Sequence, residues 1–90
     1  MYQLVTVGQF NKDYKKYLKS GKKNIQKLDN IIRVLALGQK LEPKFKDHQL
    51  TGNFKGRREC HIEPDWLLIY RIENQYLYLE RTGSHSELFG

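Results

Sequence analysis

Residues 55–82 read KGRRECHIEPDWLLIYRIENQYLYLERT, and this stretch decides the fold. Three runs rich in aliphatic, β-branched and aromatic residues, Lys55 to Ile62, Trp66 to Ile72 and Tyr76 to Thr82, are separated by Glu63-Pro64-Asp65 and Glu73-Asn74-Gln75. Proline, aspartate and asparagine at the two breaks are turn formers, so the reading is three strands joined by two hairpins. Strands so closely linked pair with their neighbours, which predicts an antiparallel meander. Side chains alternate across a strand, so Arg58, Cys60 and Ile62 share one face and Arg57, Glu59 and His61 the other. Cys60 and Ile62 have core character, which places His61 and Arg57 on the open side.

Upstream, residues 39–54 lose apolar periodicity. Glu42-Pro43 and Thr51-Gly52-Asn53 are turn signals, with Lys44, Lys46, Asp47 and His48 between them. A loop this long in a small domain is uncommon unless it carries function. Before it, Ile25, Leu28, Ile32 and Leu35 recur with helical spacing up to Gly38, and Phe10, Tyr14, Tyr17 and Leu18 do so up to Gly21. The short link predicts an antiparallel helical hairpin. Tyr2 to Val7 reads as an initial strand, and residues 83–90 as a tail. The order β-α-α-β-β-β gives a two-layer α+β fold with the helical hairpin packed on one face of an antiparallel sheet. The first strand pairs with one of the later three, and the other face is left for solvent or ligand.

Ninety residues, 39% of them hydrophobic, make one domain over 1–90 with one core. No apolar run reaches the roughly 18 to 20 residues of a membrane span, and MYQLVTV lacks the basic and apolar regions of a signal peptide. Cys60 is the single cysteine, which excludes an intramolecular disulfide and points to the cytoplasm. Residues 1–45 carry ten Lys/Arg against three Asp/Glu, net +7, while residues 46–90 carry six against seven, net −1. The overall +6 favours a polyanion or an acidic protein as partner, and the basic first half is its handle. The same lysines also serve simply to solubilise exposed helix faces.

All three histidines, His48, His61 and His85, lie in the nearly neutral half, with Asp65, Glu59 and several arginines. An imidazole exchanges protons near neutrality. Metal-free RNA cleavage needs a base for the ribose 2′-hydroxyl, an acid for the departing 5′-oxygen and cations around phosphorus, and these residue types supply that set. A metal site is not expected: no CxxC, HxH or HExxH occurs, and Cys60 and His61 alternate to opposite faces. That alternation also argues against a Cys–His nucleophile, and no glycine-rich phosphate loop implies a cofactor. Taken alone, Asp65 after Pro64 reads first as a turn residue, and Trp66 more as core or hairpin packing than as a base-stacking platform.

Three blocks carry a resemblance: LEPKFKDHQLTG at 41–52, GRRECHIEPDWLLIY at 56–70 and RTGSHSELF at 81–89. In that order they resemble the YafQ branch of the RelE toxin superfamily over nearly the whole chain. The resemblance implies a RelE-like fold and a bacterial mRNA interferase that cuts messages in the ribosomal A site without a cofactor. It implies active-site residues His48, His61, Asp65, His85 and Phe89, with Trp66 secondary and Glu59 standing where the best-known member has aspartate. Asp65 is then read as the 2′-hydroxyl base and His85 as the acid, with His48 as an alternative base; Arg57 and Arg81 contact phosphate, and Phe89 packs against a base. Lys12, Lys15, Lys16, Lys19, Lys22, Lys23 and Lys27 are placed to grip ribosomal RNA. The resemblance also implies a cognate DinJ- or RelB-like antitoxin, through which alone operator DNA is reached. The rival reading is an inactive RNA- or ribosome-binding module on the same scaffold; no helix-turn-helix pattern supports direct DNA binding.

Overall fold

A computed structural model describes residues 1–90. The elements are β1 (Gln3–Thr6), α1 (Gly8–Ser20), α2 (Ile25–Ala36), β2 (His48–Gln49), β3 (Arg58–Glu63), β4 (Trp66–Glu73), β5 (Tyr76–Gly83) and α3 (His85–Phe89). Short 3-10 turns occupy Pro43–Phe45 and Gly52–Phe54. The α+β layout and the three-strand meander stand as expected. Two elements are additional: the long loop contributes β2 at one sheet edge, and the tail forms α3.

The sheet order is β1-β5-β4-β3-β2. Strands β2 to β5 are antiparallel to their neighbours, but β1 pairs with β5 in parallel, Gln3 opposite Tyr76 and Thr6 opposite Leu79. The sheet is therefore mixed, where a wholly antiparallel one is expected from sequence. The helical pair delivers the chain to the far edge heading opposite to β1. Three further reversals bring β5 back to β1's own direction.

Gly21, at φ +65°, ends α1 in the left-handed cap that its type favours. The Asn24 side chain accepts from the Gln26 backbone N–H at 3.1 Å and starts α2. Phe10 and Tyr17 from α1 meet Leu28, Ile31 and Leu35 from α2 over Cys60, Ile62, Trp66, Leu68, Tyr70, Leu77 and Leu79 of the sheet. Burial of each large apolar side chain there contributes about 1.5–3 kcal/mol. The apolar stripes differ in detail from the sequence reading: Ile31 rather than Ile32 is buried, and Leu18 is exposed. Asp13, on the inner side of α1, accepts from the Thr82 backbone N–H at 3.1 Å and from Arg81 Nε at 2.8 Å. Strand β1 stops opposite Leu79, so Asp13 caps the part of β5 left without a ladder partner.

Side-chain parity in β3 is as predicted. Cys60 faces Leu68 in the core, while Glu59 and His61 lie opposite Ile69 and Leu67 on the other face. That face is not fully open. Leu67, Ile69 and Leu88 form a second small cluster with Leu50 and Phe54 packed against it. Strand β4 is therefore buried on both sides, which is why Trp66 to Tyr70 read as an unbroken apolar run. No helix is long and apolar enough to cross a membrane.

Candidate active site

The second face of the sheet ends in a cluster built from four separate segments. His48 sits on β2, directly opposite Glu59 of β3. Its loop is pinned from below: Tyr70 donates its hydroxyl to Asp47 Oδ1 at 2.6 Å, and Arg58 Nε lies 3.3 Å from the same oxygen. His61 lies two residues along β3, just before a bulge that shifts the register to Glu63 opposite Trp66. Asp65 is at the hairpin tip, and His85 is the first residue of α3.

The imidazoles form a row. His61 is central, with ring centroids 6.2 Å from His48 and 5.7 Å from His85. His48 Nδ1 lies 2.6 Å from the Lys46 carbonyl, and His61 Nδ1 lies 3.3 Å from that of Pro64. A carbonyl only accepts, so each Nδ1 carries the hydrogen and each Nε2 faces the site. Both Nε2 atoms approach one carboxylate oxygen, Glu59 Oε1, at 3.5 Å from His48 and 3.4 Å from His61. Glu59 is itself buried, only 5% exposed. At the other end, Asp65 Oδ1 accepts from the His85 backbone N–H at 2.9 Å and from His85 Nδ1 at 2.6 Å. These donors, the backbone N–H first, hold the Asp65 carboxyl below the usual carboxylate range.

Phe89 is the last residue of α3, the helix that His85 begins. It is exposed and packs edge-on against Phe54, ring centroids 5.3 Å apart. Sequence reasoning missed Phe54, whose only signal was a bulky aromatic inside a turn-forming stretch. A cavity of about 580 Å³ between α2, the Pro43–Phe45 turn and β3 borders the cluster through His61 and Pro64 but does not include His48, Asp65 or His85.

Other expected contacts fall differently. Trp66 corrects the RNA-contact expectation: it has no exposed surface, donates Nε1–H to Thr82 Oγ1 at 3.0 Å and packs against Tyr17. As the first residue of β4 it alternates inward with Leu68 and Tyr70, away from its neighbour Asp65. Arg57 donates to Glu80 at 2.6 Å, and Arg81 is engaged by Asp13. Among the lysines, Lys16 pairs with Glu87 and both Lys23 and Lys27 with Glu63, while Lys12, Lys15, Lys19 and Lys22 are exposed.

Sequence spacing gave no metal signal, yet folding gathers one donor set. Glu59, His61 and His85 each offer a ligand atom, all within 4.8 Å of one another. Two imidazoles and a carboxylate fit a borderline transition ion such as zinc or copper.

Residues 2–90 match the family described as "Bacterial toxin of type II toxin-antitoxin system, YafQ". The chain belongs to the YafQ family. The mRNA interferase toxin YafQ of Escherichia coli K12 is 43% identical over 84 residues, covering 92% of this chain and 90% of that protein. YafQ in the E. coli DinJ-YafQ complex superposes with a TM-score of 0.91 at 40% identity, covering all of both chains. A copper-bound mutant toxin from Helicobacter pylori gives a TM-score of 0.91 at 42% identity, covering 99% of this chain and 100% of that one. The sheet with its helical layer is thus the YafQ fold, and the histidine row lies within the span that matches the YafQ family.

Proposed function

We propose that this chain is an mRNA interferase: an endoribonuclease that cuts translated messages in the ribosomal A site, arrests translation in the cytoplasm and is neutralised by a DinJ-like antitoxin. The observation that carries the reading is the row of three imidazoles with His61 between the other two. Cleavage through the 2′-hydroxyl needs a base and an acid on opposite sides of phosphorus, with positive charge over it. A phosphate centred on His61 has His48 on one flank and His85 on the other.

His48 holds its Nδ1–H on the Lys46 carbonyl, so Nε2 is free to take the 2′-hydroxyl proton. The 2′-oxygen attacks phosphorus and the bond to the 5′-oxygen breaks, giving a 2′,3′-cyclic phosphate. His85 delivers its Nε2 proton to the departing oxygen. Asp65 orients that ring through Nδ1, and a carboxylate whose oxygen already accepts from two His85 donors is a poor base, so the base role passes from Asp65 to His48. Glu59 steadies the imidazolium formed on proton uptake, as a carboxylate does beside a general-base histidine. Arg57 and Arg81 reach the phosphate only by leaving Glu80 and Asp13, so the side chain over phosphorus is His61. Phe89 stacks on a base.

The test is to map 5′ ends on ribosomes translating a defined message. The parent is expected to cut in phase with the reading frame. His48→Ala and His85→Ala each lose about 10²–10⁴ in rate while binding ribosomes like the parent. Undiminished cleavage in both variants overturns the assignment, and toxicity without any cleavage makes the chain a binding module.

A second reading has its own observation, the convergent donors of Glu59, His61 and His85 and the copper-bound relative. An ion held there supplies positive charge but ties up the rings that proton transfer needs free. Added copper is then expected to suppress cleavage and a chelator to restore it; cleavage abolished by the chelator alone reverses the metal-free assignment.

A further inference from the structure

Helix α3 carries His85 and Phe89 but is only five residues long, too short to hold itself. Two side chains secure it. Leu88 enters the second apolar cluster, and Glu87 is engaged at both oxygens. Glu87 Oε1 accepts from the Ser84 backbone N–H at 2.9 Å and from the Tyr17 hydroxyl, while Oε2 accepts from Lys16 Nζ at 2.5 Å. The Tyr17 ring packs against Trp66 at 5.7 Å, and Trp66 directly follows Asp65. One side chain of α1 therefore touches the supports of both partners in the Asp65–His85 pair.

We infer that Tyr17 and Glu87 are positioning residues that set the Asp65–His85 pair from the opposite side of α3; the turnover part of this inference rests on the nuclease reading. The fit is close. A Cβ at Gly83 would lie 3.1 Å from Glu87 Oε1 and 3.2 Å from Leu88 Cδ2, so α3 lies tight on the end of β5. Moving α3 moves the His85 backbone N–H and ring together, and both of its bonds to Asp65 with them.

Two variants test it in the full chain. Tyr17→Phe removes the hydroxyl but keeps the ring against Trp66, and Glu87→Gln removes the charge. In both, single-turnover cleavage is expected to fall about tenfold or more, because small misplacements of reacting groups are costly. Ribosome affinity stays parental. The His85 backbone amide resonance, followed by NMR at fixed pH, moves as its bond to Asp65 is disturbed. A merely structural Glu87 lowers the melting temperature and leaves that resonance in place. Either readout unmoved in both variants overturns the inference. Should the parent cleave nothing, the nuclease reading alone falls, and the His85 amide resonance still decides whether Tyr17 and Glu87 set the pair.

Discussion

At Glu59 a carboxylate is buried between two imidazoles, and on the nuclease reading it acts on proton transfer. Glu59→Gln keeps the shape and removes the charge; cleavage on programmed ribosomes is expected to fall at least tenfold, roughly one part of a general acid–base contribution, with ribosome affinity unchanged. Phe89→Ala is expected to weaken capture of the message instead, by about 1–3 kcal/mol, the range for loss of a stacked base, read as a change in the concentration of programmed ribosomes needed for half-maximal cleavage. His48, His61, Asp65 and His85 were legible as a set because their chemistry is scarce and their surrounding blocks are specific. Trp66 was not. Adjacency to Asp65 suggested a shared role, whereas the alternation of a strand sends neighbours to opposite faces, and the same rule that placed His61 correctly buries Trp66.

At the scale of elements, α3 and β2 were hidden because two to five residues carry no periodicity. Only the Ser84-x-x-Glu87 spacing, a capping box in which Ser84 and Glu87 satisfy each other's backbone N–H groups, marked α3 as a helix start. Its anchoring has a pH signature. The Glu87 carboxyl sits at about 2 in the folded chain against an ordinary 4.5, so its contribution is complete above about pH 4.5 and drains away as pH falls towards 2. Denaturant titrations are expected to show parent and Glu87→Gln differing most at neutral pH and converging in acid. Trp66→Phe keeps most of the apolar volume but strips Thr82 of its indole partner. A loss of about 1–2 kcal/mol in unfolding free energy is expected, with the histidine row left intact.

Across the whole molecule the charge asymmetry was legible from composition, but which lysines are available was not, since pairing is a product of folding. Lys23 and Lys27 are held by Glu63, whereas Lys12, Lys15, Lys19 and Lys22 have no carboxylate partner within 4 Å. Ribosome binding should therefore weaken steeply with salt. Lys15→Glu with Lys19→Glu is expected to weaken it more than Lys23→Glu with Lys27→Glu, in a filter or sedimentation assay. The meander and the two-layer plan followed from local hairpin signals. The direction of β1 did not, because its pairing joins opposite ends of the polymer and no nearby residue announces it.

That pairing has a consequence for how the protein is made. With the first strand zipped to the last, the sheet closes only once residues 3–6 and 76–79 have both left the exit tunnel. His85 and Phe89 follow β5 directly, so a segment that stops short of β5 has neither a closed sheet nor the last imidazole of the row.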